Sequence, residues 1–169
     1  THDFFFEWKP FHKDGAPDLW PVAQREEMEE VMRRVFTEVN NGVYRAGFAT
    51  TQGAYDTAVA EVFATLDQLE QRLADRRWLM GDALTEADWR LFVTLVRFDA
   101  AYHLHFKCNR RRIIDYPNLW AYARALHQQP GVAATVRLDH IVRHYHYSHE
   151  NLNPRRIIPI NPVLDFTTP

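Results

Sequence analysis

Three tyrosines have the side-chain chemistry and the sequence setting for acid–base work in this 169-residue chain. Tyr44 lies in Asn-Gly-Val-Tyr-Arg-Ala-Gly, and Tyr145 and Tyr147 lie in Arg-His-Tyr-His-Tyr-Ser-His. These polar and glycine-rich surroundings fall outside the regular apolar stripes of the chain. A tyrosine hydroxyl can donate a hydrogen bond to a developing oxyanion or act as an acid. Core packing with a satisfied hydroxyl is the alternative, and the pattern alone leaves it open.

A histidine cluster near the C-terminus is the second candidate, and it consists of His140, His144, His146 and His149. His140 and His144 have the i, i+4 spacing that occurs in zinc sites on helices. No H-E-x-x-H motif accompanies them, and Asp139 falls on another face of the same helix. We therefore expect no metal site here. Histidines that line a polar cleft, or that hydrogen-bond at a helix end, fit the pattern better.

An arginine run and a single cysteine each have a structural explanation that we favour. Arg110, Arg111 and Arg112 are suited to phosphate binding, but the chain carries a net charge of −2. We expect a solvated loop, or ion pairs with Asp115 and other acids. Cys108 follows an apolar helix whose C-terminal end disfavours a thiolate. It is predicted to be a buried structural thiol.

The composition indicates a single globular domain with a substantial core. Hydrophobic residues make up 46% and charged residues 25% of the chain, and the isoelectric point is near 6.5. These values give no argument for binding to nucleic acid or to a membrane. A lone cysteine cannot form an internal disulfide, and it predicts a reducing, cytoplasmic location. The start at Thr1 lacks an initiator methionine and does not resemble a signal peptide, so we expect the middle of a longer polypeptide.

The elements that must position these side chains are helices, because apolar residues recur at three- and four-residue spacing. We expect helices from Pro21 to about Asn40–Gly42, from Thr51, from Thr85, from Pro117 to Gln129, across 132–136 and from Leu138 to about Tyr145. The block Val43–Ala49 remains unassigned. No strand-like alternation is present, which predicts an all-α bundle of about five to seven helices.

Three segments divide the chain. Residues 1–20 form an irregular aromatic lead-in or inter-domain connection, with rings from Phe4 to Phe11 and at Trp20. Residues 21–150 form the helical domain. Residues 151–169 are rich in proline and are expected to form an irregular tail packed on that domain.

The start of the helix at Thr85 is the best-defined local signal. Thr85 is a favourable N-cap, and the Asp88 carboxylate can reach back to its backbone N–H as in a capping box. Leu84 and Trp89 are spaced to form a hydrophobic staple. The following residues, to Tyr102, are apolar nearly all round, which marks a buried helix. We expect this cap to stabilise the fold and to touch no substrate.

Four blocks of the sequence resemble the glutathionyl-hydroquinone reductases, the Xi-class glutathione transferases. The capping segment, Gly81-Asp82-x-Leu84-Thr85-x-Ala87-Asp88, is similar to the capping box of the helical C-terminal domain of glutathione transferases. The other three blocks are Asn40–Ala49, then Phe98–Asp99 with His105–Asn109 and Asp115–Leu119, then His140–His149 with Asn153–Pro154 and the tail. They occur in order, and the resemblance runs from about Asp18 to Asp165.

The resemblance implies a glutathione S-transferase C-terminal-like helical bundle that completes a two-domain enzyme. An N-terminal thioredoxin-like domain would hold the co-substrate glutathione and a catalytic cysteine in a Cys-Pro motif, with no covalently bound cofactor. Tyr44 and Tyr145 match the two family tyrosines that contact the hydroquinone oxygens, and their phenols could stabilise or protonate the leaving ring. Tyr147 and His144 are further candidates for this substrate pocket. A homodimer formed through the helical domains is also implied.

The chain departs from the family in one respect. It contains no Cys-Pro motif and no βαβ glutathione site, and Cys108 does not match the family nucleophile. We therefore expect the chain alone to be inactive in hydroquinone release. The alternative hypothesis is a freestanding transferase-like helical domain that serves protein–protein association without catalysis.

Overall fold

The structure is a bundle of helices, as the sequence predicts. The computed structural model describes residues 7–160 and 163–168, and no β-strand occurs in those ranges. Phe4, Phe5, Phe6 and Pro162 lie outside the described residues. The α-helices of six or more residues in the described part are α1 Arg25–Arg34, α2 Gly42–Gly47, α3 Gln52–Arg72, α4 Glu86–Arg97, α5 Pro117–His127 and α6 Leu138–Ser148.

Two of these helices continue into π-helical segments, which the sequence did not predict. Val35–Asn40 extends α1, and Phe98–Tyr102 extends α4 before the short helical turn His103–His105. A π-helical segment carries a wider turn than the α-helix on either side of it. The chain therefore keeps its helical course through both segments, of which the first lies just before Tyr44 and the second ends at Tyr102.

The predicted breaks need two corrections near the N-terminus. The helix predicted from Pro21 begins in α form only at Arg25, because Val22–Gln24 form a 3₁₀ turn after Pro21. The predicted stop at Asn40–Gly42 is a junction between helices, since Asn41 has helical dihedral angles and its carbonyl accepts from Arg45. The unassigned block that begins at Val43 is thus largely α2.

The other predicted helix starts are confirmed. Thr51 caps α3 by accepting a hydrogen bond from Ala54 N at 3.3 Å. Pro117 occupies the first turn of α5, where its missing N–H costs nothing. The segment 132–136 is a short 3₁₀ turn, Ala133–Thr135, and α6 extends three residues beyond the predicted end, to Ser148.

The cap of α4 is more extensive than the sequence indicates. Asp88 Oδ2 accepts from Thr85 N at 2.8 Å and from the Thr85 hydroxyl at 3.0 Å. Its Oδ1 accepts from Leu79 N at 2.8 Å and from the Tyr122 hydroxyl at 2.9 Å. The carboxylate is fully buried. It therefore joins the loop before α4, the start of α4 and helix α5, while Leu84 and Trp89 are partly buried against the same core.

The core lies between α1, α3, α4 and α5, where Met28, Val62, Leu66, Leu91 and Leu119 are fully buried. The C-terminal tail also contributes, because the ring of Phe166 lies 4.9 Å from those of both Trp120 and His127. Over the described ranges, no helix has the length and apolar character needed to cross a membrane.

Candidate functional site

Three tyrosine hydroxyls form a connected chain, and two of them are the predicted pair. The hydroxyl oxygens of Tyr44 and Tyr145 lie 2.6 Å apart. That of Tyr145 lies 2.8 Å from the hydroxyl of Tyr102, a residue that the sequence assigned only to a buried helix. Tyr44 is 39% exposed, whereas Tyr145 and Tyr102 are 5% and 3% exposed. The chain of phenols thus runs from the surface into the core.

Each tyrosine comes from a different helical element. Tyr44 lies on α2, directly after the π-helical extension of α1. Tyr102 is the last residue of the π-helical extension of α4, and Tyr145 lies on α6. Residues 44 and 145 are thus brought together by the packing of helices that are far apart in the sequence.

An aromatic wall surrounds the hydroxyl chain. The ring of Phe106 lies 5.1 Å from that of Tyr44 and 5.5 Å from that of Tyr102, and Phe48 stacks beside Tyr44 at 6.5 Å. His149 completes the wall at 5.3 Å from Phe48. Flat apolar faces with hydroxyls at one end suit an aromatic ring that carries oxygens.

Burial raises the pKa values of the two inner phenols, Tyr145 and Tyr102. Burial raises the pKa of Tyr145 to about 12, and the hydrogen bond between Tyr145 and Tyr102 opposes part of that rise. The pKa of Tyr102 is raised still further, because burial and the neighbouring Tyr145 hydroxyl both disfavour its charged form. At neutral pH both groups are therefore neutral hydrogen-bond donors.

Some of the predicted histidines meet beside this wall, joined by a residue that the sequence analysis missed. His105 Nε2 lies 3.1 Å from His149 Nδ1, and the rings of His105 and His146 are 4.7 Å apart. Burial, and then the neighbouring histidines and Lys107, lower the pKa of His105 to about 4. Burial likewise lowers the pKa values of His146 and His149. These side chains are neutral near pH 7, so one ring nitrogen of the His105–His149 pair donates and the other accepts.

The two remaining pocket candidates take different positions. His144 is exposed, but its ring lies 5.2 Å from that of Tyr145 and 5.7 Å from that of His149, so it borders the site. Tyr147 is 44% exposed and packs under the guanidinium groups of Arg143 and Arg156 instead of joining the phenol chain.

The zinc alternative finds no support in the described geometry. His140 is exposed on α6 and lies 3.6 Å from Asp139. Across residues 7–160 and 163–168, no three side chains of His, Cys, Asp or Glu are grouped so as to hold a metal ion.

The arginine run and the cysteine behave as predicted. Arg112 forms a two-pronged ion pair with Asp115, and Arg110 lies 3.6 Å from Asp67. Arg111 covers the Tyr116 ring at 3.8 Å from its centroid. Cys108 is fully buried, and this burial raises the pKa of its thiol to about 12. None of these groups is poised as a nucleophile or as a phosphate clamp.

A groove of about 630 Å³ lies on a different face, between α1 and α3. Its charged lining is largely paired, since Arg72 contacts Glu27 and Arg34 lies 3.2 Å from Glu38. None of the predicted site residues lines it. We therefore place the candidate site at the tyrosines, where hydroxyl groups and apolar rings converge.

The comparisons with known proteins agree with this architecture. The C-terminal domain family of glutathione S-transferases matches residues 52–125. The chain contains a glutathione S-transferase C-terminal domain. The domain is 51% identical over 154 residues to glutathionyl-hydroquinone reductase YqjG of Escherichia coli (strain K12), covering 91% of this chain and 47% of that protein. It is 54% identical over 146 residues to glutathionyl-hydroquinone reductase PcpF of Sphingobium chlorophenolicum, covering 86% and 47%.

Solved structures agree with this transferase assignment. Glutathione-bound YqjG from Escherichia coli K-12 has a TM-score of 0.95 at 48% identity, covering 99% of this chain and 54% of that chain. The Xi-class transferase from Natrialba magadii gives the same TM-score and identity, covering 99% and 51%. The resemblance to the Xi class is thus confirmed, and the chain spans about half the length of the curated relatives it matches.

Proposed function

We propose that this domain forms the hydroquinone side of the active site in a glutathione-dependent reductase that acts on glutathionyl-hydroquinones. The observation that carries the proposal is the contact between the hydroxyls of Tyr44 and Tyr145, beside the rings of Phe48 and Phe106. The names of the two reductases support the substrate class, since 47% of the length of each matches this chain, at 51% and 54% identity.

In the proposed reaction, a cysteine thiolate from a thioredoxin-like domain outside this chain attacks the sulfur of the glutathionyl-hydroquinone. A disulfide bond to glutathione forms, the carbon–sulfur bond to the ring breaks, and the ring carbon takes the electron pair and a proton. A second glutathione thiolate then attacks the mixed disulfide, which releases glutathione disulfide and regenerates the cysteine thiolate. Glutathione is therefore the reductant.

The role of this domain is to bind the ring and to manage its protons. The aromatic wall excludes water from one face of the ring, and the hydroxyls of Tyr44 and Tyr145 contact the hydroquinone oxygens. A neutral phenol at that position stabilises charge that develops on the leaving ring.

The nucleophile must come from another segment. Cys108 is the single cysteine of the chain, and it is fully buried with a thiol pKa near 12. A thiol in that environment is not a useful nucleophile at neutral pH. The proposal accordingly includes a thioredoxin-like partner domain and an inactive isolated chain. A cytoplasmic homodimer remains a prediction.

The test is turnover of a glutathionyl-hydroquinone with excess glutathione by the full-length polypeptide that carries this domain. We expect Tyr44→Phe and Tyr145→Phe each to lower kcat/KM by about 10²-fold or more, the range for loss of a general acid. Tyr116→Phe is the matched control, because Tyr116 is a buried tyrosine whose hydroxyl donates to Asp67 at 2.8 Å. Wild-type rates in both site variants would refute the assigned roles.

A non-catalytic association domain is the second candidate. The tail of the described chain favours it locally, because Ile157, Ile160 and Val163 are exposed apolar residues that a partner protein could cover. The coding sequence upstream of Thr1 separates the two. A thioredoxin-like domain there supports the reductase, whereas a nearby start codon supports the association domain.

A further inference from the structure

One residue beside the aromatic wall has a backbone conformation that its side chain does not favour. Lys107 has a φ of 60°, in the left-handed region, and Arg156, at 54°, is the other non-glycine residue with a positive φ in the described part of the chain. Left-handed backbone brings the Cβ atom too close to the following carbonyl oxygen. Glycine has no Cβ and avoids this contact, so a lysine in this conformation needs an explanation.

The backbone around residue 107 explains why a left-handed residue is needed here, but not why it is a lysine. Cys108 N donates to Tyr102 O at 3.1 Å across the turn His103–His105, a bond of the kind that ends a helix through a left-handed residue, most often glycine. The Tyr55 hydroxyl donates to the Lys107 carbonyl at 2.6 Å, and Cys108 is fully buried. These contacts fix the main chain, and none of them involves the lysine side chain.

The Lys107 side chain is exposed, and its ammonium forms no ion pair with a carboxylate of the described residues. The preceding ring, Phe106, stacks with His105 at 5.4 Å and lies 5.8 Å from His149. Burial lowers the pKa of His105, and the neighbouring histidines and the charge of Lys107 add to this effect, so the ammonium lies within electrostatic range of these rings. A cation at a helix C-terminus is favourable, but less so than left-handed backbone is costly.

We propose that Lys107 is a substrate-binding residue whose ammonium pairs with a carboxylate of the ligand that lies against the aromatic wall. This inference rests on the proposed function, since the ligand is the glutathionyl-hydroquinone. Its glutathione portion carries carboxylates, and an acidic substituent on the ring is the other source. An ammonium at the edge of the wall favours an anionic ligand over a neutral one of similar size. The fixed main chain of residue 107 limits the entropy that is lost when the carboxylate binds.

Turnover and urea unfolding of the full-length polypeptide test this assignment in the wild type, Lys107→Met and Lys107→Gly. Both variants should raise KM for a glutathionyl-hydroquinone by roughly two- to fivefold at low salt and leave kcat nearly unchanged, because one exposed ion pair is lost. Lys107→Gly should also be at least as stable as the wild type, since it relieves the left-handed backbone. Arg156→Gly is the matched control with wild-type KM, because that guanidinium already contacts Glu150. An unchanged KM in both Lys107 variants, or a loss of stability in Lys107→Gly, overturns the proposal.

Calorimetric binding to the same polypeptide locates the carboxylate and needs no turnover. Hydroquinone and dihydroxybenzoate differ in a ring carboxylate, and S-phenylglutathione and its diethyl ester differ in the peptide carboxylates. In the pair that contains the partner of Lys107, Lys107→Met should weaken the anionic member and leave the neutral member unchanged. Such a difference supports the assignment even if the wild type fails to reduce glutathionyl-hydroquinones, an outcome that would refute the proposed function alone. Equal effects on both members of both pairs contradict it.

Discussion

Replacement of Asp88 by asparagine tests how strongly one carboxylate holds the helices together. The two oxygens of Asp88 accept from Leu79 N, from the backbone and hydroxyl of Thr85, and from the hydroxyl of Tyr122. Each oxygen serves one pair of donors, either Leu79 N with the Tyr122 hydroxyl or the two donors of Thr85. An asparagine side chain keeps one oxygen for one pair and presents an NH₂ group to the other pair. Two buried donors then lose their acceptor.

The expected cost follows from that geometry. Each stranded buried donor costs about 1–3 kcal/mol, so Asp88→Asn should lower the free energy of unfolding by roughly 2–6 kcal/mol. A domain has about 5–15 kcal/mol in total, so the variant should be close to its stability limit. Thr85→Ala removes less, about 0.5–2 kcal/mol, because the carboxylate keeps its other partners.

Urea unfolding followed by far-ultraviolet circular dichroism measures both changes. Asp75→Asn is the matched control, since its carboxyl is 84% exposed and lies 3.9 Å from Arg76. This substitution should change stability by less than about 0.5 kcal/mol. A loss below about 1 kcal/mol in Asp88→Asn would show that the buried network is not what stabilises the start of α4. Activity lost at full stability in Thr85→Ala would contradict a purely structural cap.

Three further outcomes are expected. In Gly47→Ala the new Cβ would lie 2.8 Å from Phe106 Cβ, so displacement of that ring should cost about 1–3 kcal/mol and lower kcat/KM. Gly53→Ala, with nothing within 4 Å, is the control for both measurements. His105 has its pKa lowered from 6.5 to about 4, so the unfolded chain takes up the proton first. The free energy of unfolding should therefore fall as the pH drops from about 6.5 to about 4, and it should fall less steeply in His105→Gln. Urea unfolding at each pH measures both slopes. The buried Cys108 thiol should react with iodoacetamide only after unfolding, and rapid labelling of the folded chain would contradict its burial.

Local signals in the sequence were sufficient to place most helix starts. Thr51, Thr85 and Pro117 act through neighbours within one turn, so residue type and spacing carry the information. Tyr44 and Tyr145 could be singled out because their polar and glycine-rich settings are unlike the apolar stripes around them. These signals predict helices and candidate phenols, but they do not say which phenols meet.

The remaining features of the site could not be predicted, because they depend on packing between segments that are distant in the sequence. Tyr102 fits the apolar pattern of its helix, and its hydroxyl partner lies 43 residues away in sequence. His105 lies in a block that resembles the transferase family and has no other signal of its own, because its partner His149 is 44 residues distant. The π-helical segment Phe98–Tyr102 continues the run of apolar residues in the α-helix before it, so residue spacing could not reveal the change from α to π. Tertiary contacts decide all three.

The π-helical extensions give two helices a residue to spare ahead of the site. A π-helical turn closes its hydrogen bond five residues on instead of four, so Val35–Asn40 and Phe98–Tyr102 each hold about one residue more than an α-helix would over the same rotation. Removal of one residue from either segment should therefore let it close as a regular α-helix and leave Tyr44 or Tyr102 near its present orientation. Removal of one residue from the α-helix Glu86–Arg97 would instead turn the residues that follow by about 100° along a rise of about 1.5 Å, and Tyr102 would point away from Tyr145. Alignment gaps at 35–40 and 98–102 are thus compatible with this arrangement in transferase relatives, whereas gaps at 86–97 are not.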